Sequence, residues 1–596
     1  MRNVLYLVLL VPILALAAGT TETAVAPVPG MARGTPTPRI PMPGTAQAIV
    51  PARALVGTMD TVGGTIYDWV ANGPTYRFVA NSPALGVHVT WMYSNDTIPP
   101  QDDRNMRYNF YDYGTRAWNW IDPDYMVSGV NVFPQRAGFG NLDADPTSGA
   151  AIVSCHYFSS EPDISPMVAR DAAPPQALWE YADGAPVLGV CQWPPIAVGQ
   201  DGTIHIFPMS AETASPAYEL RYSRIAAGNW PTFDQPLVPI LPSPGFPDHN
   251  IVASKVSNKV CLTWVNTAVA PESCYYSISS DGGTNWDPVT TLSFPPAYSA
   301  SPDTGVTYWI NSVSPFYDVQ NRLHVIVNTL PIIGDSVWLY PSEIWHWCPD
   351  NTPEWSFLAR ADFDPRANPN PCGTNATMAG RAQLGEDSRG NLYAVWEQFD
   401  STNTEPQTNL FRADIWMSGS NDNGVTWAPV TKIVEAGTNS LRFPSITDMA
   451  ISGGDGADTL GILYQADQVA GFKAGSSPVG PWSNNAMIFQ KVPADSIIPP
   501  GVAEGPSTPP KRFAVSASPS PASGRTVISY ALPQSGDVSL IVYDAVGRPV
   551  QTLASGRHAA GHYSATWNAG NAAAGVYFYT LASGKTSVTR KLILTH

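Results

Sequence analysis

Three arginines stand at comparable places along the chain, each a few residues ahead of an apolar, β-branched run. They are Arg77 in TYRFVANSP, Arg381 in GRAQLGED and Arg442 in LRFPSI. A guanidinium offers a planar fork of N–H donors that grips a carboxylate through two parallel hydrogen bonds, which lysine cannot copy. Three of them converging would make a clamp for an acidic ligand. Asp248 and His249, in PDHN, precede another such run and are further candidates for ligand contact. His88, His205 and His324 recur at one place within the runs, but Cys261 and Tyr393 take that place elsewhere. The position therefore accepts polar residues in general, and no metal site is expected. No Gly-x-Ser-x-Gly, His-Glu-x-x-His or phosphate-binding loop occurs, so no nucleophile is assigned and no cofactor is expected.

The elements that would carry these residues repeat. GVHVTWMY (86–93), AAIVSCHYF (150–158), GTIHIFPM (202–209), KVCLTWVN (259–266), RLHVIVNT (322–329), NLYAVWEQ (391–398) and TLGILYQA (459–466) each follow a polar turn. Each is followed in turn by a tryptophan: Trp118, Trp179, Trp230, Trp286, Trp355, Trp427 and Trp482. The mean step, (482 − 118)/6, is about 61 residues, the size of a four-stranded propeller blade. The chain has 58 prolines and 48 glycines, 13% charged residues and no long helical periodicity. This composition suits an all-β fold rich in turns. The expectation is an all-β, seven-bladed β-propeller over 56–492, six blades being the alternative count. It is followed by a small Ig-like β-sandwich.

Two units share a polar string, SISSDGGTNWDP (277–288) and SGSNDNGVTWAP (418–429). Ser420, Asp422, Gly424, Thr426 and Trp427 fit Ser-x-Asp-x-Gly-x-Thr-Trp; Ser279, Asp281, Gly283 and Trp286 fit it with Asn285 in the threonine place. A short carboxylate can tie its own turn through backbone N–H groups, glycine supplies positive φ, and the tryptophan packs between blades. These residues are read as structural. The string resembles the Asp box of sialidase/BNR-repeat propellers, in which that hairpin lies away from the central funnel. The resemblance implies a three-arginine carboxylate clamp, a Tyr/Glu nucleophile pair and an aspartate acid/base. Tyr76-Arg77-Phe78 matches the family's first arginine string without its proline, and the Tyr/Glu pair has no counterpart that can be assigned.

The ends carry addresses. Residues 1–19 read as a secretory signal, with one arginine, about a dozen apolar residues and a small-residue cleavage region near Ala17–Gly19. Residues 20–55 form a Pro/Thr/Ala-rich leader, and 493–511 a linker. No other apolar run is long enough to span a bilayer, so the mature protein is expected outside the membrane. Export permits disulfides among Cys155, Cys191, Cys261, Cys274, Cys348 and Cys372, with sequential pairing as the candidate scheme. Residues 511–596 hold eight Lys/Arg and two Asp, a net of +6, which leaves −16 − 6 = −22 for the rest. An acidic body excludes nucleic acid as a partner. Segments SPSPASGRTVISYAL, VSLIVYDAVGRPVQTL, AGHYSATWN, AAGVYFYTL and TRKLIL in 512–596 resemble the type A sorting domain of type IX secretion substrates. They also resemble, in part, the Ig-like domain of flagellar hook-capping proteins. The sorting resemblance implies that an outer-membrane translocon is a partner and that the protein is secreted or displayed at the cell surface. The functional expectation is a non-catalytic binding or adhesion propeller for glycan or another extracellular polymer. An exo-acting, sialidase-like glycosidase is the alternative.

Overall fold

The computed structural model describes residues 55–499 and 513–595, apart from short stretches of which 212–218, 296–305 and 362–370 are the longest. The signal segment 1–19, nearly all of the leader 20–55 and the linker from 500 onward lie outside the described residues. Contacts divide the chain into two units at residues 499/500.

The first unit is a β-propeller. Among the described residues it builds seven antiparallel sheets of four to six strands. Their innermost strands are Val79–Ser82, Leu142–Ala144, Ile196–Val198, His249–Ala253, Val306–Tyr317, Ala379–Glu386 and Ser440–Ile446. Each of these strands contacts the next, and the last contacts the first, so the sheets close into a ring around a channel. Closure is made by the amino-terminal strand Thr58–Thr65, which pairs with Asn485–Pro493 as the outer strand of the seventh sheet. Radial closure of this kind leaves only short edges and buries the faces of each twisted sheet against its neighbours.

The repeating apolar runs are the second strands of the sheets, for example Gly86–Tyr93, Val260–Asn266 and Leu392–Thr404, and not the inner ones. Second strands are sandwiched on both faces, so they read as continuous apolar runs, whereas inner strands such as Val79–Ser82, Leu142–Ala144 and His249–Ala253 mix polar residues into their sequences. His88, His205 and His324 therefore pack between sheets. His88 Nδ1 bonds the Tyr108 hydroxyl at 2.7 Å, His205 the Tyr222 hydroxyl at 2.8 Å, and His324 the His346 ring at 2.9 Å. Burial pushes His88 and His205 down to about 3, so both rings are neutral.

Six of the seven repeating tryptophans fall after the third strand of their sheet, whereas Trp482 precedes the third strand, Asn485–Pro493, of the seventh; most lie against the preceding sheet. Trp179 sits edge-on to Tyr108 at 5.1 Å, Trp286 to Tyr222 at 4.8 Å and Trp427 to His346 at 5.4 Å. Trp118 of the first sheet meets Phe489 of the seventh at 5.1 Å. These four tryptophans thus work as inter-sheet wedges.

The two polar strings are the turns that seat these wedges. Asp281 Oδ1 accepts from Asn285 N at 2.8 Å, Thr284 N at 3.1 Å and Ser279 Oγ at 2.9 Å, which lowers its carboxyl to about 2. Ser279 Oγ in turn accepts from Gly283 N at 2.8 Å. Asp422 repeats the scheme, accepting from Thr426 N and Ser420 Oγ at 2.8 Å, while Ser420 Oγ accepts from Gly424 N at 2.8 Å. Gly283 and Gly424 have φ of +80° and +78°, and each lies flush against the preceding sheet, on Tyr222 and His346 respectively.

The six cysteines are free thiols, and all are buried. This corrects the expectation of disulfides. Cys261 pairs in register with Ile278 and Cys274 with Val265, so the two are offset by four positions along adjacent strands. That offset is about 13 Å, while a disulfide needs Cα atoms roughly 4.4–6.8 Å apart. The thiols instead fill the core, and burial pushes Cys261 and Cys274 well above the usual range. Thiol titration is therefore expected to find no reactive group in the native protein and six per chain in denaturant without reductant. Fewer than six would contradict the packing described.

The second unit is a β-sandwich. One sheet joins Ala514–Ser518, Arg525–Leu532 and Gly561–Asn568. The other joins Ala522–Ser523, Thr586–Thr595, Gly575–Ser583, Gly536–Tyr543 and Pro549–His558. Val538, Leu540 and Val542 share the buried face and meet Trp567, Tyr577 and Tyr579 in the core. Asp544 ties the turn between two strands, accepting from Val546 N at 3.0 Å and from Arg548 N at 2.9 Å.

Candidate functional site

Arg381 and Arg442 lie inside inner strands of the sixth and seventh sheets, not ahead of them. Each strand bulges there, and Arg381 and Phe443 hold positive φ of 55° and 57°, a strained conformation that aims adjacent side chains across the sheet. Both guanidinium groups turn to one carboxylate, Glu397, on the second strand of the sixth sheet. Arg442 grips it through Nε and Nη2, both at 3.2 Å, and Arg381 Nε lies 3.3 Å from Oε1. Phe443 N adds a bond to Oε2 at 2.8 Å. Arg442 is 1% exposed, and its guanidinium lies 5.0–5.1 Å from the rings of Phe399, Phe443 and Phe472. Burial lowers the Arg381 guanidinium, opposed chiefly by the Glu397 charge.

Two more carboxyls border this cluster. Asp68 accepts from Lys473 N at 2.5 Å and Ala474 N at 2.9 Å, and burial raises it to about 6. Asp467 is raised well above the carboxylate range by burial and then by Asp68. A buried group of this kind holds one conformation firmly because every charge in it has been taken out of water.

Arg77 is elsewhere. Its guanidinium donates to the carbonyls of Ile446 at 3.1 Å and Leu384 at 3.4 Å, across the channel from the first sheet to the sixth and seventh. Its backbone N–H is held by Asn141 Oδ1 at 2.8 Å, and Gln383 Nε2 bonds Tyr76 O at 2.6 Å. Asp248 Oδ2 accepts from Val313 N at 2.8 Å, and burial holds the carboxyl well above its usual range. His249 Nε2 donates to Trp193 O at 3.0 Å, locking the fourth sheet to the third. The three arginines do not meet at one point: two share Glu397, and the third spans the channel.

A cavity of about 370 Å³ occupies the channel. It is lined by inner strands and by turns between first and second strands, including Pro83–Leu85, Asp145–Gly149 and Asp318–Val319. It therefore lies toward the end of the channel that also carries the Asp281 and Asp422 turns. Its polar walls include Arg77, Asn81, Asp143, Lys255, Glu386 and Asp448. Lys255 Nζ is 2.9 Å from Asp143 Oδ2 and also donates to Val198 O at 2.8 Å. Glu386 is 3% exposed; its Oε2 accepts from Val319 N at 3.2 Å, and burial pushes its carboxyl up to about 8.

Sequence reasoning did not single out Glu397, Asp68, Asp467, Glu386 or Asp448. The signal for Glu386 and Asp448 was present, since each is an acid closing an inner strand just before a turn. Glu397 carried none, because its partners lie on other strands.

Residues 516–595 match the family described as Secretion system C-terminal sorting domain. No curated protein matches the chain. Among solved structures, the polysaccharide lyase PL25 ulvan lyase bound to -[GlcA(1-4)Rha3S]- aligns over 70% of this chain and 93% of its own, at 11% identity and a TM-score of 0.41. Polysaccharide lyase Uly1 aligns over 71% and 90%, at 11% identity and a TM-score of 0.38. The α-L-arabinanase of Penicillium chrysogenum complexed with arabinobiose aligns over 63% and 95%, at 12% identity and a TM-score of 0.34. Likeness this distant says nothing of activity or substrate, and it is not specific to sialidases. Residues 516–595, within the carboxy-terminal unit of this chain, are a secretion-system C-terminal sorting domain of the type IX kind.

Proposed function

We propose that the protein is a secreted or surface-displayed propeller that binds glycan or another extracellular polymer without cleaving it. The observation that carries this reading is the state of the arginines. Arg381 and Arg442 are spent on Glu397, and Arg77 stands apart from them on two carbonyls, so no three guanidinium groups converge as a sialidase-like clamp on one substrate carboxylate. The net charge of −22 over residues 1–510 further favours a neutral polymer over an acidic one. Export through the type IX system, after an amino-terminal signal, would deliver it to such polymers.

A glycan array probed with the purified protein tests this. The expected result is retention on neutral glycans above sialylated ones. Retention on sialylated glycans alone, or on none, would contradict it. Hydrolysis remains the second reading because of one observation: Tyr76 Oη and Asp248 Oδ1 are buried with no hydrogen-bond partner among the described residues. A hydroxyl and one carboxyl oxygen left unsatisfied inside a protein are costly, and such groups recur at reactive sites.

A further inference from the structure

The charges around the channel cavity are unevenly matched. Lys255 is neutralised by Asp143. Arg77 lines the same cavity, yet two carbonyls are its only side-chain partners among the described residues. The remaining N–H groups of its fork have none. The carbonyls that hold Arg77 belong to Leu384 and Ile446, two residues before Glu386 and Asp448 on adjoining strands. At about 3.3 Å per residue, the two acids stand about 7 Å nearer the turn end of the channel. They are held together there, since Glu386 N donates to Asp448 O at 3.0 Å and Ala450 N to Glu386 O at 2.7 Å.

Glu386 is the group that points to a ligand. It is 3% exposed and lines the cavity, and its Oε1 has no hydrogen-bond partner among the described residues. Burial, followed by the charges of Asp318, Asp448 and Asp387, raises its carboxyl to about 8. A buried acid surrounded by carboxylates keeps its proton until a cation is offered in its place. The cavity thus has a cationic pole lacking an anion and, about 7 Å away, an acidic pole lacking a cation. An extended dipeptide spans about 7 Å between its amino and carboxyl ends, whereas the charges of a single amino acid are closer together.

We propose that the channel cavity binds a free short peptide of dipeptide size, its carboxylate on Arg77 and its ammonium group at Glu386 and Asp448. The cavity, about 370 Å³, falls at the low end of the size range of small-ligand sites. On binding, the Glu386 proton passes to solvent and the carboxylate pairs with the ammonium. This does not rest on the polymer reading, which is tested separately on the glycan array.

Isothermal titration of the full chain with glycylglycine tests the proposal, beside N-acetylglycylglycine, which lacks the ammonium, and glycylglycinamide, which lacks the carboxylate. Each lost charge-assisted bond should weaken binding about tenfold or more. Glu386→Gln and Asp448→Asn should each weaken glycylglycine binding by a similar factor, with the unfolding midpoint recording that both variants fold. Equal binding of either capped peptide would overturn the proposal, as would unchanged affinity in the two variants. No heat at millimolar glycylglycine would overturn it outright.

Discussion

Glu397→Ala is expected to lower the stability of the propeller by about 3–5 kcal/mol, the largest single effect in the molecule. The carboxylate is the shared partner of two buried guanidinium groups, and removing it strands both in a low-dielectric site. Neither can recover by moving to water, because Arg442 is 1% exposed and enclosed by three phenylalanine rings. Glu397→Gln should fall between the wild type and the alanine variant, keeping the shape and some hydrogen bonding but not the charge. Urea unfolding followed by tryptophan fluorescence reads this unit almost alone, since every tryptophan but Trp567 lies in it. A loss below about 1 kcal/mol, the size of a surface ion pair, would mean that the cluster is solvated and the arginines are available.

Gly424→Ala is expected to cost about 2–5 kcal/mol, from two sources. The backbone holds φ at +78°, and an added Cβ would lie 2.2 Å from Cε1 of the buried His346 ring. The ring cannot yield easily, because it is also bonded to His324 and wedged by Trp427. Gly228→Ala is the control. Its φ is +82° but nothing lies within 4 Å, so it carries the strain without the clash. Equal costs in the two variants would show that the seating of the turn on the neighbouring sheet adds nothing. Asp422→Ala should then matter chiefly through the loss of the bonds that shape that turn.

The repeat was legible because two different physical demands recur with it. Strands buried on both faces must be apolar, and each sheet needs a wedge against the one before; the first demand wrote VCLTWV and YAVW, the second wrote Trp286 and Trp427. The inner strands were not legible as such, because polar residues interrupt them, as in Val79–Ser82 and Leu142–Ala144, and only the apolar runs behind them stood out. The closing strand Thr58–Thr65 also left no trace, since its partner Asn485–Pro493 lies more than 400 residues away and its own GGT end lacks a pattern.

The site was legible only in part. The placing of Arg77, Arg381 and Arg442 near inner strands was visible, but which acid each would meet was not. Glu397 lies between Arg381 and Arg442 in sequence and reaches both only because the bulges at Arg381 and Phe443 redirect the strands. The buried state of Glu386 depends on turns from several sheets, which no local pattern encodes. The cysteine pairing failed for a similar reason: proximity in sequence across a hairpin says nothing of register, and register set Cys261 and Cys274 four positions apart.

Hydrolysis of a fluorogenic sialoside by the purified protein separates the binding reading from the catalytic one most directly. With Arg381 and Arg442 held by Glu397, the expected rate equals that of buffer alone, in a sample that still binds neutral glycan. Release of the fluorophore above buffer, abolished in Arg442→Met, would contradict it and place those arginines in a substrate clamp.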